Sequence, residues 1–140
     1  CGLGDVYNRQ ADYNPDLYAR SVLELFDHVR GHIGNELFLL HDIHERLAPI
    51  DAVRLAKDLE KYRLFFLEDP LAPDQVEWFR NIRQQCATPI AMGELHNHPL
   101  EWKTLIVEQL IDFIRTHISQ IGGITPARKL AAFCEQFGVR

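Results

Sequence analysis

The sequence predicts an α/β fold, a sector of a parallel (β/α) barrel, on three observations. Short apolar runs alternate with segments of helical periodicity along the whole chain. Three of these runs lead into a carboxylate at one pitch: Asp42, Glu68 and Glu94, with 26 residues from 42 to 68 and 26 again from 68 to 94. The repeat shows in element order and not in residue identity, which argues for strand–helix units and against a solenoid with a consensus motif. An open α/β sheet is the alternative, and no glycine-rich loop of the kind that cradles a dinucleotide follows any run.

Each element has its own justification. Residues 1 to 14 are polar, turn-rich and tyrosine-bearing, and read as a loop. Asn14-Pro15 then opens a helix, with Asn14 as cap and proline where a missing N–H costs nothing. Leu17, Val22, Leu25, Phe26 and Val29 form its apolar stripe, and Gly31 and Gly34 end it. A strand over about 36 to 41 leads to Asp42. Pro49 opens the second helix, to about residue 60, presenting Ile50, Val53, Leu55, Ala56 and Leu59. A strand near 63 to 67 leads to Glu68. Pro73 starts a third helix that buries Val76, Phe79 and Ile82 and turns Arg80, Arg83, Gln84 and Gln85 to water. The strand near 90 to 93 leads to Glu94, a fourth helix spans about 99 to 108, and a strand at 110 to 114 leads to Arg115. Thr125 caps a fifth helix ahead of Pro126, and Gly138 ends it, where another strand is expected to start.

Composition narrows the function classes. A net charge of −5 over 140 residues and a pI of about 5.8 give no basic footprint for nucleic acid or an anionic membrane. No apolar run approaches the roughly 18 to 20 residues that span a bilayer, and no signal peptide is visible. Cys1, Cys86 and Cys134 are odd in number and form no CxxC pair, which suits free thiols in a reducing, cytoplasmic setting. The strand–helix units are too few to close an eight-stranded barrel of roughly 250 residues. Residues 1–140 are therefore expected to be part of a larger barrel domain.

In barrels and doubly wound sheets the C-terminal strand ends carry the chemistry. Three carboxylates converging there form a set of hard oxygen ligands that suits Mg2+ better than zinc, and a bound ion cancels their mutual repulsion. Surface or helix-capping roles are the alternative for Asp42, Glu68 and Glu94. His44, two residues past Asp42, points to the same side if the strand end is extended, as a fourth ligand or as an acid/base group beside the ion. His41 has the opposite phase and is expected to pack behind the strand. Arg115 is placed to clamp a substrate carboxylate or to pair with a ligand carboxylate, unless it is a solvated loop residue. His96, Asn97 and His98 are candidates for the rim. Gly122-Gly123 permits a tight turn, and Trp78 and Trp102 read as packing residues.

Three runs also carry a family resemblance: Leu39-Leu40-His41-Asp42-Ile43-His44-Glu45-Arg46-Leu47, Tyr62-Arg63-Leu64-Phe65-Phe66-Leu67-Glu68-Asp69-Pro70 and Ile121-Gly122-Gly123-Ile124-Thr125. They resemble the mannonate dehydratase branch of the enolase superfamily, which includes proteins labelled starvation-sensing. The resemblance implies an enolase-type TIM barrel of which this chain holds roughly strands 3 to 6, with an N-terminal capping domain and the last strands outside it. It implies Mg2+ on Asp42, Glu68 and Glu94, His44 as a catalytic acid/base, and Arg115 in the site. The implied reaction is dehydration of a sugar acid, D-mannonate to 2-keto-3-deoxy-D-gluconate, by a homo-oligomeric full-length protein. In that family the α-proton is taken by an arginine-assisted tyrosine upstream of this chain, so the 140 residues alone are expected to be inactive. Leu95 to Pro99 departs from the Phe-Asn-Ser type of run common there. A catalytically weak or regulatory sugar-acid-binding protein is the other outcome the resemblance allows. Racemisation is less favoured, because no Lys-x-Lys pair follows a strand.

Overall fold

The computed structural model of the chain describes residues 13–140, so most of the expected N-terminal loop, with Cys1 and Tyr7, lies outside the described residues. Among the described residues five helices alternate with four strands: α1 Pro15–Ile33, β1 Leu40–Asp42, α2 Pro49–Leu59 with a 3-10 turn at Glu60–Tyr62, β2 Phe66–Glu68, α3 Val76–Gln85, β3 Ile90–Met92, α4 Pro99–Val107, β4 Phe113–Ile114 and α5 Ile124–Phe137. The strands form one sheet in the order β1-β2-β3-β4, and every adjacent pair is parallel. Consecutive strands that are parallel neighbours need a crossover each, which the helices supply.

Register divides the sheet into two faces. Asp42 stands opposite Glu68, Glu68 opposite Ala91 and Ala91 opposite Phe113, so these four share one face. His41, Leu67 and Ile90 share the other, and there the main core packs against the helices around Leu55, Leu59, Phe79, Ile82, Leu105 and Ile106. The first face carries a smaller apolar cluster of Phe66, Ala91 and Phe113. Carboxylates and aromatic rings therefore lie on the face away from the helices, the inside of a barrel arc. β2 and β3 are buried on both faces, which accounts for their continuous apolar runs, while β1 at the edge is largely exposed.

The strands are shorter than expected. The first begins at Leu40 and not at 36, because Leu37 and Phe38 are 56% and 85% exposed and pairing with β2 reaches back only to Leu39, whose carbonyl accepts from the Phe65 N–H at 2.7 Å. The last begins at Phe113 and not at 110. Gln109 takes a left-handed φ of 52° and the Leu110 N–H returns to the Leu105 carbonyl at 2.8 Å, so these residues close α4 instead of extending the sheet. Arg140 pairs beside β4, donating to the Asp112 carbonyl at 2.9 Å and accepting from the Ile114 N–H at 2.8 Å, where a strand is expected to start.

Helix starts follow the capping chemistry with two exceptions. Asn14 accepts from the Leu17 N–H and Pro15 takes the first position, as do Pro49 and Pro99 in α2 and α4. Pro73 does not open α3: Ala72 to Gln75 form a turn, closed by the Gln75 N–H on the Ala72 carbonyl at 3.0 Å, and the helix begins at Val76. Thr125 does not cap α5, since Gly123 holds that place with φ 106°, a conformation side chains avoid. α1 runs through Gly31 to end at Gly34 and buries Val22 and Phe26, while Leu17 and Leu25 are half exposed. On α3, Arg80 and Arg83 do not simply face water. They reach the next unit, where Arg80 pairs with Glu108 at 2.8 Å and Arg83 with Asp112 at 2.5 Å. Trp78 and Trp102 pack on the core. Cys86 and Cys134 are free, with Cys134 buried. No helix among the described residues is long and apolar enough to cross a membrane.

Candidate metal centre

The strand ends place the predicted residues side by side. Asp42 closes β1, Glu68 closes β2, and Glu94 comes two residues after β3. Strict alternation would aim Glu94 at the helices with Met92. Gly93 breaks the alternation with φ 139°, and it is packed so closely that a Cβ there would lie 2.4 Å from the Arg115 carbonyl oxygen. Only glycine fits, and the turn it makes delivers Glu94 to the barrel-interior side. Pairing continues past the strands, with the Ile43 N–H on the Glu68 carbonyl at 3.0 Å and the Glu45 N–H on the Asp69 carbonyl at 2.9 Å, which fixes the loop that bears His44.

Basic groups bracket the carboxylates. His44 Nε2 lies 3.7 Å from Glu94 Oε1, and Arg115 Nη1 donates to Glu68 Oε2 at 3.0 Å. His44 arrives by another route than an extended strand end: its backbone and that of Glu45 are left-handed, with φ 55° and 58°. His41, as expected, turns to the helix layer, where its Nε2 is 2.9 Å from the Tyr18 hydroxyl and its ring meets Phe26 edge-on. His98 and Asn97, both exposed, stand at the start of α4. The Asn97 and His98 N–H groups both donate to Glu101 Oε2, and His98 caps α4. His96 is buried, 1% exposed, which removes it from any rim.

Two residues that sequence reasoning did not single out join the site. His117 Nε2 lies 3.8 Å from Glu94 Oε2, opposite His44; its spacing of two from Arg115 was the available signal. Asp69 is 1% exposed, and neither of its carboxylate oxygens has a hydrogen-bond partner among the described residues. Strict alternation after Glu68 would aim Asp69 at the helices, but its φ of 43° turns it back. Glu68, Asp69 and Glu94 each offer an oxygen within 4.8 Å of the others. Asp42 lies outside that tight group yet near enough for its charge to act on both Glu68 and Asp69.

The electrostatics match crowded acids. Burial pushes the Glu68 carboxyl above its ordinary range, Arg115 opposes this, and the charges of Asp42 and Glu94 add to the rise. Asp69 is raised to about 7, first by burial and then by Glu94, Glu68, Asp42 and Glu45. A divalent cation removes the repulsion behind these shifts, and an all-oxygen donor set selects a hard one. The residues present thus fit such an ion.

The chain is similar to known proteins over nearly its whole length. Residues 14–140 match the family described as enolase C-terminal domain-like. A D-galactonate dehydratase family member of Salmonella enteritidis PT4 is 56% identical over 128 residues, 91% of this chain and 30% of that protein. A D-mannonate dehydratase of Caulobacter sp. K31 is 48% identical over 123 residues, 88% of this chain and 30% of that protein. Among solved structures, an enolase from Pantoea ananatis with bound D-gluconate and Mg superposes with a TM-score of 0.89 at 57% identity, covering 91% of this chain and 31% of that one. L-Talarate dehydratase from Polaromonas sp. JS666, complexed with Mg and L-glucarate, gives 0.80 at 28% identity over 86% and 34%. The chain spans about a third of the length of these relatives. Its parallel arc is a portion of the enolase-type TIM barrel, and the chain belongs to the enolase C-terminal domain-like family.

Proposed function

We propose that the full-length protein is a Mg2+-dependent sugar-acid dehydratase, with Asp42, Glu68 and Glu94 holding the ion. The observation that carries this reading is the cluster at the strand ends: Glu68, Asp69 and Glu94 offer oxygens within 4.8 Å of one another, the charge of Asp42 acts on Glu68 and Asp69, and His44 and Arg115 flank the group. Bound Mg2+ supplies positive charge to the substrate carboxylate, where negative charge accumulates as the α-proton leaves.

The protein's own residues divide the remaining work. The His44 imidazole, 3.7 Å from Glu94 at the open end of the strands, is the group to give a proton to the departing 3-hydroxyl. Arg115, half exposed beside Glu68, can exchange part of that contact for a substrate carboxylate or hydroxyl. The α-proton base comes from outside residues 13–140, in keeping with a barrel that the rest of the protein completes. Six-carbon aldonates are the substrate class. D-Mannonate, converted to 2-keto-3-deoxy-D-gluconate, is favoured by the sequence resemblance and by the Caulobacter relative, and D-gluconate by the Pantoea structure.

The test is formation of 2-keto-3-deoxy acid by the full-length protein from D-mannonate, D-gluconate and D-galactonate, with Mg2+ and with EDTA. Product that requires Mg2+ and falls at least about 100-fold in His44→Ala supports the reading. Turnover unaffected by EDTA, or a fully active His44→Ala protein, contradicts it. Saturable sugar-acid binding without turnover would instead identify a binding or regulatory relative.

A further inference from the structure

One acidic residue of the close group, Asp69, has no role in the proposed reaction. Asp69 is 1% exposed, and both of its carboxylate oxygens lack a hydrogen-bond partner among the described residues. Buried carboxylates are ordinarily hydrogen-bonded or paired, so two orphaned oxygens on one side chain point to a partner of another kind. The direction they face is set by the backbone. Asp69 precedes Pro70, which disfavours a helical backbone and pushes a residue towards extended conformations, and it follows Glu68 in β2, so ordinary alternation would send it to the helix layer. Its φ of 43° overrides both preferences, at a position where the Asp69 N–H is held on the Ala91 carbonyl at 3.0 Å and the Asp69 carbonyl accepts from the Glu45 N–H at 2.9 Å. Parallel pairing on either side locks the left-handed turn in place. The result is a side-chain oxygen within 4.8 Å of oxygens on both Glu68 and Glu94. Two oxygens on one Mg2+ at about 2.1 Å stand about 3 Å apart when adjacent and about 4.2 Å when opposite, so modest side-chain movement brings the three onto a single ion.

Resting on the cation-site reading given above, we propose that Asp69 is a fourth carboxylate of this site, facing the ion alongside Glu68 and Glu94 and setting how tightly it is held. Sealed from solvent, it acts where screening by water is weakest. Glu45, whose Oε1 is also buried without a partner among the described residues, lies on the paired loop and gives no oxygen to the close group.

Mn2+ binding to the full-length protein, followed by the electron paramagnetic resonance signal of the free ion, tests this without reference to turnover. Asp69→Asn removes the charge while keeping the size and the tolerance of left-handed backbone. Asp51→Asn, in the first turn of α2 with its carboxylate paired to Arg54, is the control. The expected result is a Kd raised at least about tenfold in Asp69→Asn and unchanged in the control. The rise in melting temperature on adding Mg2+ should shrink in parallel. If Asp69→Asn does not fold, Asp69→Gly, which is at ease with positive φ, carries the same measurement. Saturable binding by the wild-type protein that either folded variant retains within twofold would overturn the role of Asp69 and leave the cation site standing. Absence of saturable Mn2+ binding by the wild-type protein would overturn both.

Discussion

Single residues decide what this site can hold. Glu68 is buried and paired with Arg115, so Glu68→Gln removes a charge from the proposed ion site and leaves the guanidinium without that ion pair. Divalent-ion affinity should fall by at least about 100-fold, read by calorimetric titration of the full-length protein. Gly93→Ala should be among the more destabilising changes in the sheet, by about 2 kcal/mol or more in a denaturant melt, because the added methyl meets the Arg115 carbonyl and φ is 139°. The spacing of 26 made the placing of Asp42, Glu68 and Glu94 at or just past strand ends legible, since one strand and one helix per unit fix the pitch. Asp69 and the left-handed backbone at His44 were not legible. Period-two alternation describes regular strands, and both positions lie just past a strand end, where single φ angles decide direction.

Elements are joined by contacts that cross from one strand–helix unit to the next. Asp112 Oδ2 accepts from both Arg83 and the Ile90 N–H at 2.5 and 2.7 Å, so one carboxylate fastens α3 and the start of β3 to the segment entering β4. Asp112→Ala should cost about 1 to 3 kcal/mol, seen as a lower denaturation midpoint with an unchanged slope. In α5, burial raises the Cys134 thiol to about 11. Its folded value lies above the unfolded one, so the folded protein keeps a proton that the unfolded chain loses, and this contribution to stability declines as pH rises from about 9 towards 11. Iodoacetamide at pH 8 should accordingly leave Cys134 unlabelled until the protein is denatured, as mass spectrometry of the labelled peptide can establish. Helix positions were readable because capping residues and apolar stripes are local. The α3 start was not: Pro73 is as suitable for a turn as for a first helical position, and the Gln75 side chain settles the choice by accepting from the Ala72 N–H.

At the scale of the molecule, four parallel strands in sequential order put one layer of side chains against the helices and another into a barrel interior. That separation lets a polar site sit at the strand ends without disturbing the core that stabilises the fold. Order and parallel direction were legible because a strand–helix–strand repeat has few other solutions; the short strand lengths depended on where neighbours run out of pairing. On the proposed reading these strand ends gather carboxylates onto one divalent ion, and a crystal structure of the full-length protein grown with Mn2+, with anomalous data collected, shows whether they do. The expected result is a single peak about 2.1 to 2.3 Å from oxygens of Asp42, Glu68 and Glu94. No peak at saturating Mn2+, or one bound away from these three residues, would contradict it.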